Sequence, residues 1–260
     1  MAPERAATLA GDAVLIAATR STTQPDVAGS VAGKVDGLVV LAGSVRQREL
    51  ARLSRIVPVV VLGADVSGRG LDVISADDRG GARELTAHLV TDHGYRDCVF
   101  MGGPVHSPDS DERFAGYREA LQDNGIATPS RPQAAGDFTE IAGARATTAL
   151  LDRGPAPRAV VCANDEMAIG ALQVLRFRHH RVPSDVALSG FDDIASTRHL
   201  RPALTTVRQP MRVLGEHAVR VLLDRLAEPR APRRTVQLPT EIVLRRSCGC
   251  RTPTPTLIRS

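Results

Sequence analysis

Side chains able to do chemistry fall, in this sequence, just past short apolar runs. The densest stretch is Asp185 to Pro210, where the run Val186–Ser189 ends at Gly190 and is followed at once by Phe191, Asp192 and Asp193. Carboxylates in that position can accept hydrogen bonds from a small polar ligand, because open parallel sheets bind ligands outside the carboxyl ends of their strands. The same residues could equally form a βα turn whose Asp caps the next helix. Comparable positions recur: Asp77 follows Val73–Ser75, Ser107 and Asp109 follow the run ending at Met101, and Asn164-Asp165 follow Arg158–Cys162. Arg113 falls in the first turn of a helical pattern, where the helix dipole mildly disfavours a cation. Phe138 sits in Gly136-Asp137-Phe138, a loop with no evident core duty for an aromatic. Each has a plain structural role open to it: Asn164 or Asp165 as a cap, Phe138 as loop cover, Arg113 as a partner of Asp109. Taken together at one edge of a sheet, they suit the binding of vicinal hydroxyls by charge-assisted hydrogen bonds, with an aromatic face for a sugar or base ring.

Catalytic and metal chemistry find less support. Gly102-Gly103-Pro104 lacks the Gly-Lys-Ser/Thr of a phosphate loop, no Gly-x-Gly-x-x-Gly opens a helix, and Ser189 is not in a Gly-x-Ser-x-Gly elbow. Asp109 and Asp192 stay open as a glycosidase-like carboxylate pair, since their separation in space is invisible in sequence. His179-His180 reads as part of a solvated helix end. Cys98 and Cys162 lie in apolar strands, where free cysteine behaves as a small hydrophobe. Cys248-Gly249-Cys250 lies in a polar tail with no second ligand pair in the sequence around it, so no metal site and no cofactor are expected.

The elements that must position these side chains alternate. Apolar runs too short for helices occur at 13–18, 37–43, 57–63, 73–75, 97–101, 158–162 and 186–189, each expected as a buried strand. Between them lie helical patterns: 4–9, 24–32, 46–55 with Leu50 and Leu53 inward, 79–91 stopped by Gly94, 111–124 with Phe114, Tyr117 and Leu121 on one face, 139–152, and 165–176. A long helix over 211–226 and strands over 235–238 and 241–245 complete the chain. The alternation specifies α/β architecture with parallel sheets. Two such series imply two doubly wound lobes with a cleft between them and chain crossings near His93, Val207 and Leu238. Residues 1–93 with 208–237 then make the N-terminal lobe, and 94–207 with 238–260 the C-terminal lobe.

Composition agrees with a globular protein: 260 residues, 43% hydrophobic and 24% charged, with 3% aromatic and no Trp. The net charge of +4 comes from interspersed charges rather than a basic stripe, so these residues themselves are not expected to grip nucleic acid. Neither a signal-peptide pattern nor an apolar run of about 18 residues occurs, which implies a cytoplasmic chain with no membrane partner.

Several motifs, in order along the chain, resemble the lac/gal repressor (LacI/GalR) family: Val35-Asp-Gly-Leu-Val39, Asp77-Asp-Arg-Gly-Gly-Ala82, Arg113-Phe-Ala-Gly-Tyr117, Gly136-Asp-Phe138, Ala163-Asn-Asp-Glu-Met-Ala-Ile-Gly170, Val186-Ala-Leu-Ser-Gly-Phe-Asp-Asp193 and Leu204-Thr-Thr-Val-Arg-Gln-Pro210. The resemblance implies a periplasmic-binding-protein-like fold, a homodimer, and the effector-binding core of a transcriptional regulator. It implies that Asp192, Asn164 and Arg113 contact a sugar or nucleoside, with Phe138 against its ring. Ser107 and Asp109 fall where specificity contacts vary, and Asp77 is a weaker carry-over that could instead start its helix. A helix-turn-helix headpiece, a hinge helix and the first strand of the N-terminal lobe have no counterpart in these residues. On that basis operator DNA is expected to be reached only through a headpiece outside this chain, and the chain alone to be poorly stable. A solute-binding protein on the same fold, or a sugar hydrolase, are the competing expectations.

Overall fold

The computed structural model describes residues 33–63 and 70–251. The expected helices over 4–9 and 24–32 and the strand over 13–18 lie outside the described residues. By contacts the chain divides into two units. The first takes residues up to 77, 106–109 and 210–239, and the second takes 78–105, 110–209 and the chain from 240 onward.

The first unit is a parallel sheet in the order β1-β2-β3-β9, formed by β1 (Leu38–Leu41), β2 (Val59–Leu62), β3 (Asp72–Ala76) and β9 (Thr235–Leu238). Successive side chains of a strand face opposite sides, and the unbroken Val59-Val60-Val61 therefore feeds two cores. Val59 and Val61 join Leu50 and Leu53 of α1 (Gln47–Leu53), whereas Val60 and Ile74 join Leu214, Ala218 and Val221 of α6 (Met211–Ala227). Each fully buried aliphatic contributes about 1.5–3 kcal/mol, so an unbroken apolar strand needs a helix on both faces. A buried ion pair closes the amino end of this sheet. Arg225 donates from Nε and Nη2 to Asp72 at 2.9 and 3.0 Å, and from its remaining N–H groups to the carbonyls of Pro229, Ala231 and Pro232. Asp72 also accepts from the Arg233 side chain and the Arg234 backbone N–H. Burial opposes ionisation of Asp72, but these donors outweigh it and hold its carboxyl below the usual range.

The second unit carries a parallel sheet in the order β5-β4-β6-β7, from β4 (Cys98–Gly102), β5 (Ala134–Ala135), β6 (Ala159–Cys162) and β7 (Ala187–Ser189). A separate antiparallel pair joins β8 (Thr206–Arg208) to β10 (Glu241–Val243). Around the sheet lie α2 (Asp78–Thr91), α3 (Pro108–Asp123), α4 (Glu140–Asp152) and α5 (Asp165–Phe177). One core takes Leu85 and Leu89 from α2, Tyr117 and Leu121 from α3, Met167 and Leu172 from α5, and Phe100, Val160 and Leu188 from the strands. Helices α4 and α5 touch backbone to backbone. A Cβ at Gly143 would stand 2.2 Å from the Met167 carbonyl oxygen, and one at Gly170 would stand 2.0 Å from that of Glu140.

Three expectations change. Helix α2, expected in the first lobe, groups with the second unit, because its apolar face packs on Tyr95, Phe100 and Tyr117. Strand β1 is an edge strand among the described residues, and Val39 and Leu41 are 38% and 59% exposed, so the expected two-sided burial holds for β2 and not for β1. The stretch 206–208, expected only as a crossing, is a strand, and the two residues of β5 are too few for a periodic signal.

Candidate functional site

The carboxyl edge of the second unit's sheet gathers four of the seven expected residues. After β7 the chain turns through Gly190, where a Cβ would lie 2.2 Å from Oδ1 of Asp165. Asp192 and Asp193 then adopt φ of +116° and +54°. Such backbone is disfavoured for residues other than Gly and costs about 1–3 kcal/mol per residue, a cost that clusters at ligand sites. Side chains hold the turn in place. Asp193 is bound by Arg208 and Arg245; burial opposes its ionisation, but the two guanidinium groups outweigh it and hold the carboxyl below its ordinary value. Asp192 donates its N–H to the Val207 carbonyl at 2.8 Å and accepts from Gln209 Nε2 at 2.6 Å. Its side chain remains 27% exposed.

Arg113, on the first turns of α3, links the strand ends. Its Nε donates to Asp78 Oδ1 at 2.7 Å, its Nη1 to the Ala163 carbonyl at 2.7 Å, and Nη1 stands 3.5 Å from Asp192 Oδ1. The guanidinium carbon lies 4.0 Å over the Phe191 ring. A buried guanidinium needs such partners, since an unpaired buried charge costs several kcal/mol.

Asn164 caps α5 by accepting from the Met167 N–H at 3.0 Å, and its Nδ2 donates to the Phe138 carbonyl at 3.0 Å. It therefore does the capping left open by the sequence and also fixes the loop that carries Phe138. That loop residue has φ of +70° and is half-buried. Its ring lies against Gly103, where a Cβ would come within 2.4 Å of a ring carbon.

The remaining expected residues, Asp77, Ser107 and Asp109, belong to the first unit. Asp77 follows β3 and donates its backbone N–H to Leu238 at 2.8 Å. Asp109 stands beside Gly63, its Oδ1 3.3 Å from where a Cβ there would be.

Two buried carboxylates make contacts that the sequence did not assign to them. Asp78 is the close partner of Arg113; its signal was the pairing of two Asp at the end of β3, of which the second starts the helix. Asp165 is fully buried, accepts from Thr206 Oγ1 at 2.6 Å and from the Ile194 N–H at 3.0 Å, and so ties α5 to both β8 and the 190–194 turn. Burial pushes its carboxyl up to about 7, in spite of those two bonds.

Residues 86–248 match the periplasmic binding protein-like domain. The HTH-type transcriptional regulator CelR of Thermobifida fusca is 39% identical over 175 residues, which covers 67% of this chain and 51% of that protein. The HTH-type transcriptional repressor PurR of Escherichia coli O1:K1 / APEC is 32% identical over 216 residues, 82% of this chain and 63% of that one. The chain thus spans about half to two thirds of the curated relatives it matches. In structure, the CelR–cellobiose complex superposes with a TM-score of 0.87 at 33% identity, over 95% of this chain and 76% of that chain. The lac repressor dimer bound to operator and the anti-inducer ONPF superposes with a TM-score of 0.80 at 27% identity, over 95% of this chain and 75% of the other.

Proposed function

The chain belongs to the LacI family of periplasmic-binding-protein-like domains, and from that premise we propose that it is the effector-sensing core of a transcriptional regulator whose effector is a small sugar. The observation that carries the proposal is the Arg113–Asp192 pair, 3.5 Å apart, at the carboxyl edge of the second sheet on a turn whose backbone is held left-handed. A cation and a carboxylate at that spacing present donor and acceptor side by side, which is what adjacent hydroxyls require. Asp192 is the principal acceptor. Phe138 offers its ring to the sugar face, and Asn164, engaged in holding that loop, acts chiefly by positioning it. Asp77, Ser107 and Asp109 enter the proposal on the family resemblance alone. Cellobiose is the first ligand to try, because a relative of 33% identity is known in complex with it; nucleosides form the second panel.

The remaining parts of the proposal follow the family. The effector changes the population of two conformations, and the change reaches operator DNA through a helix-turn-helix segment outside these 260 residues. The working state is a homodimer in the cytoplasm, without catalytic turnover. Among the described residues no helix is long and apolar enough to cross a membrane.

A thermal-shift screen tests the effector. A ligand that binds only the folded state raises the melting midpoint in proportion to the logarithm of its concentration over Kd. A sugar in the panel is expected to raise the midpoint of the chain and to leave that of Asp192→Asn unmoved. A full response in that variant would remove Asp192 from the site, and release of product from sugar glycosides would replace the sensing role by a hydrolytic one.

A further inference from the structure

The second unit brings together two pairs of side chains that lie far apart in sequence. His88 is in the last turn of α2, and His93 follows just before the Gly94 stop. Their rings meet edge to face with centroids 4.8 Å apart, and their Nε2 atoms are 3.2 Å apart. The carboxy-terminal segment reaches this point through a 3-10 turn, Arg246–Cys248, that ends on Gly249 with φ of +109°. A Cβ on Gly249 would stand 2.9 Å from the Tyr95 hydroxyl and 3.3 Å from the His93 ring, so the chain can reverse here only at Gly. The reversal returns Cys250 to the side occupied by Cys248. Cys250 Sγ lies 3.4 Å from Nε2 of His88 and 3.4 Å from Nε2 of His93. One ligand atom from each of the four residues falls within 4.8 Å of the others.

A hydrogen bond joins two atoms, whereas here two ring nitrogens and two sulfurs from four residues lie within 4.8 Å of one another, with Cys248 Sγ also accepting from Thr205 Oγ1 at 3.0 Å. Tetrahedral zinc, with Zn–N of about 2.0–2.1 Å and Zn–S of about 2.3 Å, sets N···N near 3.3 Å and N···S near 3.5 Å along the edges of its ligand shell. The observed 3.2 and 3.4 Å match those edges for His88, His93 and Cys250, and Cys248 completes the set within 4.8 Å. His88 has the outer partner that metal-binding histidines use: its Nδ1 is 2.8 Å from Asp92 Oδ2, which leaves Nε2 as the lone-pair nitrogen facing the cluster. The donors are soft or borderline, two thiols and two imidazoles, and suit zinc rather than magnesium or calcium.

We propose that His88, His93, Cys248 and Cys250 form a Cys2His2 site for a zinc ion that fastens the carboxy-terminal segment to the end of α2. Four protein ligands leave no open position, so the role is structural. The sequence showed no second ligand pair beside Cys248 and Cys250; the fold supplies it from more than a hundred and fifty residues away (Cys250 to His93 spans 157). The fastened segment matters to the candidate effector site, because Ser247 beside it accepts from the Thr205 N–H and donates to the Leu188 carbonyl. Those residues lead into β8 and out through β7, the two strands that flank the Asp192 turn.

The test is metal content of the full chain expressed in zinc-replete medium, followed by cobalt substitution. The expected result is zinc at one equivalent per chain and, with Co(II), a thiolate-to-metal charge-transfer band with the intense visible bands of a tetrahedral centre. Cys250→Ser, chosen because Cys250 is half-buried and lies outside the main core, loses the charge-transfer intensity of one thiolate and its retained zinc. Asp92→Asn, at the surface, keeps the fold and binds zinc about 10–100-fold more weakly by chelator competition. Trace zinc together with a featureless Co(II) titration of the folded chain overturns the site. So does a Cys248–Cys250 disulfide recovered from protein purified with zinc present.

Discussion

Each unit buries an arginine–aspartate pair, and the two pairs sit at opposite edges of their sheets. In the first unit Asp72 opens β3, at the amino edge, and Arg225 grips it through two nitrogens while three carbonyls take the rest of the guanidinium. In the second unit Arg113 pairs with buried Asp78 and reaches the carboxyl edge, where Asp192 keeps a quarter of its side chain in solvent, 27%. The chemistry is the same and the setting differs. A pair whose carboxylate is 0% exposed can only hold structure, whereas a pair that ends on a solvent-reaching carboxylate can exchange its outer contact for a ligand hydroxyl. The lesson is that the edge of the sheet, rather than the ion pair itself, separates scaffold from site.

The largest expected effect comes from breaking the scaffold pair. Arg225→Ala leaves Asp72 charged and buried, and unfolding in urea should register a loss of about 3–5 kcal/mol; a loss below about 1 kcal/mol, the range of an ordinary surface pair, would erase the contrast between the units. Next comes Asp165. Its folded pKa, about 7, lies above the unfolded value of 3.8. Its contribution is therefore complete below the unfolded pKa and is lost as pH rises through the folded one, at up to about 1.4 kcal/mol per pH unit between. Asp165→Asn, which can still accept from Ile194 and donate to Thr206, should flatten that slope; an unchanged stability-against-pH curve would show that the buried carboxyl is not its source. A helix-packing change follows: Gly170→Ala sets a methyl against the Glu140 carbonyl and should cost about 1–3 kcal/mol by calorimetry, as overpacking does. The smallest effect on stability, under about 1 kcal/mol, is expected for Asp192→Asn, although the same variant loses its response to the effector. Such a split, small in stability and complete in ligand response, is what the exposed end of the second pair predicts. A large stability loss would make Asp192 a second Asp72.

Sequence made the core of this legible because apolar runs bounded by Gly and polar residues are local signals. Strands β2, β4 and β6 and helices α2 to α6 fall close to where periodicity and stop residues put them. What depended on partners was not legible. Val39 and Leu41 look as apolar as Val60 and Val61, and only the neighbouring strands decide which are covered. Helix α2 carries no mark of the unit it packs into. At the candidate site, Asp192, Asn164 and Asp165 were noticed because they follow strands, but the partners of the last two were not legible: Asn164 caps α5 and holds the Phe138 carbonyl, whereas Asp165 accepts from Thr206 and Ile194. The pairing of His88 and His93 with Cys248 and Cys250 is wholly a product of the fold, since the pairs sit at the two ends of the second unit's chain.

The contact of α4 with α5 has a mechanical consequence. Where Gly143 and Gly170 let two backbones meet, there is no side chain to change rotamer and take up a displacement, and packed interiors compress little. The two helices are locked together over their first turns. Both begin at the carboxyl edge, α4 from the Thr139 cap and α5 from the Asn164 cap that also holds the Phe138 carbonyl. The Phe138 loop therefore joins the pair at the end where the two backbones meet, and a displacement of that loop has to move both helix starts together.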